Sequence, residues 1–153
     1  MRATLGVLSL FMLALGGFTV AAQDAPGPTV MAEGIEFKNG DRYWIPMNTE
    51  RNSLALFTES VQTISIYNKT SAEMTLNKIE LTRAEGVMDE EFTLLAEKGK
   101  RDPLDFKETK LEASKGGFGL RVRFYPVESG ERNATLTITY NTDKTFTLKL
   151  ASR

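Results

Sequence analysis

The stretch GLRVRFYPVESGERNATLTITYN, residues 119–141, decides the fold. In its first half Leu120, Val122 and Phe124 alternate with Arg121, Arg123 and Tyr125. In its second half Leu136, Ile138 and Tyr140 alternate with Thr135, Thr137 and Thr139. Residues two apart share one face of a strand, so each half has an apolar face and a polar face. Between them Pro126 fixes φ and lacks the N–H that a ladder needs, while Gly130 can take positive φ. The pattern predicts a hairpin, two half-buried strands joined by a turn at PVESGER. Asn141 to Lys144 read as a second turn. TFTLKL, 145–150, then forms a third antiparallel strand with Phe146, Leu148 and Leu150 inward.

The same period extends upstream. SLALF (53–57), VQTISIYN (61–68) and EMTLNKIELT (73–82) read as strands rich in β-branched residues. EFTLLAEKGKRDPLDF (91–106) reads as a strand running into a charged loop. SKGGFGL (114–120) lacks the Lys-Ser/Thr of a phosphate cradle and reads as a turn or bulge entering a strand. In IEFKNGDRYWIPM (35–47), Asn39-Gly40 suggests a hairpin or tight turn, and Pro46 suits an edge strand. Seven or eight short antiparallel strands at this spacing imply an all-β, two-sheet sandwich over residues 35–153. QDAPGPTVMAEG (23–34), with two prolines and two glycines, reads as a flexible lead-in.

Residues 1–22 carry a positive start, the uncharged run LGVLSLFMLALGG and small residues at Val20-Ala21-Ala22. This is the layout of a secretory signal peptide cut after Ala22. The apolar run is short for a membrane span of about 20 residues, so no span is expected after cleavage. The expected location is periplasmic or extracellular.

Composition removes several chemistries. The chain has no cysteine and no histidine. Disulfides, thiol nucleophiles, Ser-His-Asp triads and the common zinc sites are therefore excluded, and no cofactor or metal is expected. The formal charge is −1, which offers no basic field for nucleic acid. Asn68-Lys69-Thr70 and Asn133-Ala134-Thr135 are sequons, meaningful where the host glycosylates.

Phe124, Pro126, Gly130, Ala134, Leu136 and Ile138 form Phe-x-Pro-x-x-x-Gly-x-x-x-Ala-x-Leu-x-Ile. This resembles the signature of Hydin-type Ig-like domains, the ASH family, called choice-of-anchor D in many exported bacterial proteins. QTISIYNKTSAEMTLNKIELT resembles the family's strand, Asn-centred turn and next strand. The chain departs from the family at Phe37-Lys38, where Phe-Gly is common, and at Leu150-Ala151, where Leu-x-Gly is common. The resemblance implies an Ig-like sandwich acting in adhesion, scaffolding or assembly. The matched residues are structural, so no functional site carries over.

Candidate binding residues come from side-chain type. Tyr43 and Trp44 are adjacent, so a strand sends one to the core and the other to solvent as an aromatic platform. Arg121, Arg123 and Tyr125 share an outward face, expected to lie beside the outward threonines of the next strand, and Arg and Tyr dominate hot spots. The Tyr43–Pro46 edge could also accept a partner strand. The implied partner is another envelope or extracellular protein. The competing reading is a carboxylate-dependent, glycosidase-like hydrolase using the acidic run Asp89-Glu90-Glu91, whose bland explanation is a solvated loop. The export reading predicts a mature chain beginning at Gln23. N-terminal sequencing of the exported protein should find it, and retention of residues 1–22 would restore a membrane anchor.

Overall fold

The computed structural model describes residues 26–46, 56–99 and 101–152. Residues 1–22, read above as a signal peptide, and most of SLALF lie outside them. Ten strands occur in chain order: β1 (Thr29–Ala32), β2 (Ile35–Phe37), β3 (Arg42–Trp44), β4 (Ser60–Tyr67), β5 (Met74–Arg83), β6 (Phe92–Ala96), β7 (Thr109–Leu111), β8 (Gly117–Phe124), β9 (Arg132–Tyr140) and β10 (Lys144–Ser152). They form two five-stranded sheets, ordered β2-β1-β4-β8-β6 and β3-β10-β9-β5-β7. Without the three-residue strands β2, β3 and β7, these sheets read β1-β4-β8-β6 and β10-β9-β5. That is the four-plus-three strand order of an immunoglobulin sandwich, so the fold is an Ig-like β-sandwich.

The alternation of residues 119–141 is as read, but the hairpin is not. β8 pairs with β4 and β6, whereas β9 pairs with β5 and β10 in the other sheet. Residues 125–131 cross the gap, about 10 Å between packed sheets. Alternation assigns faces to a strand and leaves its neighbour open. Here backbone bonds outside the stretch settle the path: Tyr125 N donates to Glu91 O at 2.8 Å and Phe57 N to Pro126 O at 2.8 Å. The outward threonines of β9 therefore do not flank Arg121 and Arg123.

Asn39-Gly40 behaves similarly. Its turn links β2 in one sheet to β3 in the other. Asn39 Oδ1 accepts from Thr147 N and Oγ1 at 2.7 and 3.0 Å, and Gly40, at φ 87°, donates to Thr147 O at 2.8 Å. These bonds seat β3 against β10 in parallel register, a departure from the all-antiparallel expectation. The stretch read as a lead-in also contains β1, whose Val30 and Ala32 are buried opposite Ile66 and Ile64. Its hairpin with β2 turns at Glu33-Gly34, both with positive φ. Four residues between Pro28 and Glu33 were too few to show a period beside two prolines.

The inward residues of both sheets make one core, including Ile64, Ile66, Phe92, Leu120, Val122, Phe124, Leu136, Ile138 and Leu148. The rings of Phe92 and Phe124 meet at 4.8 Å. Glycine is required at 116, where a Cβ would lie 2.4 Å from Glu112 N. Leu136→Ala should cost about 2–5 kcal/mol through the cavity it leaves. Thr137→Ala, on the outward face, should stay within about 0.5 kcal/mol. Denaturant melts in the reverse order would mean the faces are misassigned.

Candidate functional site

β4 starts and β8 ends at the Ser60–Phe124 pair, and β6 starts opposite Phe124. Residues 56–59, 84–91 and 125–131 therefore meet at one end of the sandwich. Pro46 also reaches this end, its carbonyl accepting from Ser60 Oγ at 2.8 Å.

Glu91 organises the end. Fully buried, it receives Met88 N on Oε2 at 2.9 Å and Val127 N on Oε1 at 3.2 Å. Arg132 Nε lies 3.2 Å from the same Oε1, close enough for an ion pair although its N–H is not aligned as a hydrogen bond. Arg132 also pairs with Glu128 and donates to Gly86 O at 3.3 Å. The solvated-loop reading of Asp89-Glu90-Glu91 thus holds for Asp89 and Glu90, which are exposed, and fails for Glu91. A buried carboxylate next to two exposed ones breaks no period, so only the fold reveals it.

On the outer surface, Arg123 Nε meets Glu59 Oε2 at 2.7 Å, and Arg101 reaches the same oxygen at 3.3 Å. The Arg123 guanidinium stands 4.9 Å over the Tyr125 ring, and Phe57 lies 6.2 Å from Tyr125 on centroids. Phe57 is 62% exposed and holds φ 62°, an outlier for a bulky L residue. Sequence reasoning missed Phe57, Glu59 and Arg101, because Phe57 stood in an apparent strand and nothing in SLALF marks a left-handed turn. Leu56 and Met88 add exposed apolar surface on the loops of this end.

The sequence-derived candidates separate. Arg123 and Tyr125 belong to this corner. Arg121, one turn of the pleat away, donates from Nε to Ala96 O at 2.9 Å and from Nη2 to Gly99 O. It clamps the 97–99 loop, so its removal costs more than a free surface residue would. Tyr43 faces the core and packs edge-on to Phe37 at 5.4 Å. Trp44 is 41% exposed on the other sheet, with Arg42 standing 5.2 Å over its ring and paired to Glu131 of the crossing at 3.3 Å. So Trp44 and Tyr125 share an end of the sandwich but not a sheet.

Strand addition finds little template. The outermost strands β2, β3 and β7 have three residues each, and the β6 edge is covered by Leu104 N bonding Leu94 O and Ala96 N bonding Asp102 O, both at 3.0 Å. Among the described residues no group of three His, Cys, Asp or Glu side chains could hold a metal, and no helix is long and apolar enough to cross a membrane.

Glu91→Ala should cost about 3–5 kcal/mol, since it removes the buried partner of Arg132 and the acceptor of two part-buried N–H groups, whereas Glu90→Ala should be near neutral; equal denaturation midpoints would contradict the buried role. Tyr43 gives a pH test. Burial, then the negative charge and proximity of Glu33, push its hydroxyl from 10.0 up to about 12. That hydroxyl makes no hydrogen bond of normal geometry among the described residues, so Glu33 acts chiefly through its charge. Below pH 10 the phenol is protonated in both states, and its contribution is intact. As pH rises from 10 towards 12 the unfolded chain ionises first, so stability should fall over that window, a loss absent in Tyr43→Phe.

No family model matches the chain, and no curated protein matches its sequence. Solved structures do. The ASH/PapD-like domain 7 of human CEP192 is 12% identical, with 97% of this chain and 96% of that chain covered and a TM-score of 0.48. The CooA pilin subunit from enterotoxigenic Escherichia coli is 11% identical, covering 83% and 97%, at 0.42. A family 123 glycoside hydrolase from Clostridium perfringens is 11% identical at 0.46. There 73% of this chain is covered, spanning only 22% of the hydrolase. At these values the likenesses carry no activity or partner across, and the Ig-like assignment stands on the strand order.

Proposed function

We propose that this chain is a non-catalytic, exported Ig-like module of the Hydin type that binds another envelope or extracellular protein through the loop end around Phe57, Arg123 and Tyr125. Phe57 carries the reading. A bulky residue in the left-handed region costs about 1–3 kcal/mol, and such strain clusters at functional positions. Its ring is not repaid by burial, being 62% exposed. Beside it stand a tyrosine and an arginine, side chains that dominate protein hot spots. Glu59 fixes the Arg123 guanidinium, so little rotamer freedom remains to be lost on binding. Trp44 and Arg42 offer a second anchor at the same end. The resemblance of residues 124–138 to Hydin-type domains agrees with adhesion or assembly. The hydrolase reading loses Glu91, whose carboxylate is committed to Arg132 and two backbone N–H groups.

The test compares capture of envelope proteins by three forms of similar melting temperature. The Phe57→Ser/Arg123→Ser/Tyr125→Ser form should lose capture, while Asp89→Ser/Glu90→Ser should keep it. Phe57→Gly should be no less stable than the parent, because glycine accepts this φ, yet should bind more weakly. Loss of function in the acidic form with retention in the aromatic one would establish the carboxylate reading instead.

A further inference from the structure

Asn68 is an acceptor sequon whose side chain the fold has already used. It is 1% exposed. Its Nδ2, the atom to which a glycan would be joined, donates to Ala72 O at 2.8 Å, Leu111 O at 3.0 Å and Glu112 O at 3.2 Å. Its Oδ1 accepts from Thr70 N at 3.0 Å and Thr70 Oγ1 at 2.7 Å, and its own N–H donates to Gly116 O at 2.9 Å. The threonine that completes the sequon is therefore locked to the same amide. The other sequon differs. Asn133 is partly exposed on the outward face of β9, opposite Ala151, and its amide makes no hydrogen bond among the described residues.

We propose that the native fold and a glycan at Asn68 are mutually exclusive, so that the folded protein is never the Asn68-glycosylated one. Transfer from a diphosphate-linked sugar donor forms the Nδ2–C1 bond, expels the diphosphate and removes one Nδ2 proton. The amide would then hold one hydrogen facing three carbonyls, with a sugar placed where Leu111 and Glu112 now lie. Two buried or half-buried carbonyls would lose their donor, and the sugar has no path to solvent without opening the 68–73 turn from the 111–116 turn. Thr70 would leave with them, since Thr70 O accepts from Ser114 N at 2.9 Å. The chain thus matures where asparagine-linked transfer is absent, or folds before transfer reaches Asn68. This constraint is independent of the binding reading above.

Residues 1–153 are expressed in a glycosylating secretory host as Asn133→Gln, so that any glycan reports on Asn68, and again with Leu136→Ala added to hinder folding. Peptide mapping should find Asn68 unmodified in the secreted, cooperatively melting Asn133→Gln protein and modified in the folding-impaired form. A glycan at Asn68 on protein that melts like the bacterially made chain overturns the proposal. Equal occupancy in the two forms, zero included, overturns it too, because acceptance would then follow local sequence and not the fold.

Discussion

Two sheets of a sandwich need something to fix how the chain passes between them, and here a single buried carboxylate does much of it. Glu91 ends the 84–91 loop just before β6 of the first sheet. Its side chain holds Val127 in the crossing and meets Arg132 at the start of β9 in the second. Its main-chain oxygen receives Tyr125 N, at the point where β8 leaves its sheet. Nearby Arg83 at the end of β5 donates twice to Phe92 O, at 2.6 and 3.1 Å, adding a second tie between the sheets. A buried ion pair contributes little net stability over an apolar one, but it punishes any alternative in which either partner is left alone. It therefore selects the crossing over the hairpin that the same alternation would also satisfy.

That selection explains what the sequence could and could not tell. Leu120, Val122, Phe124, Leu136, Ile138 and Leu148 are inward as their period requires, because burial of alternate side chains is a local property of each strand. Pairing is not local. Whether Phe124 lies beside Leu136 or across a core from it depends on Glu91 and Phe57, which sit 33 and 67 residues upstream of Phe124 in the numbering. Thr109–Leu111 was hidden for a related reason, since it spans less than two periods. The edge strand read beside Pro46 is present as Arg42–Trp44, but its parallel seat on β10 depends on Asn39 and Gly40, not on its own pattern.

The candidate surface was half legible. Arg123 and Tyr125 announce an outward face by alternation, and Trp44 is the exposed member of its pair. Their neighbours were not foreseeable, since Glu59, Arg101 and Phe57 come to Arg123 from loops without a period. Arg121 shows the converse. Its side-chain type suggested a binding contact, yet the carbonyls of Ala96 and Gly99 consume its donors. The corner that remains is rigid where the ion pair holds Arg123 and costly where Phe57 is strained. That combination is what the proposed binding reading rests on.

The central claim is that Glu91 and Arg132 act as one unit in setting the crossing. A double-mutant cycle with Glu91→Gln, Arg132→Met and the combined form, read by denaturant unfolding, measures their coupling directly. The account predicts an interaction energy of about 0.5–3 kcal/mol, the range expected for contacting groups in one network. Additive losses, with coupling near zero, would show that the two side chains stabilise the fold separately and would contradict it.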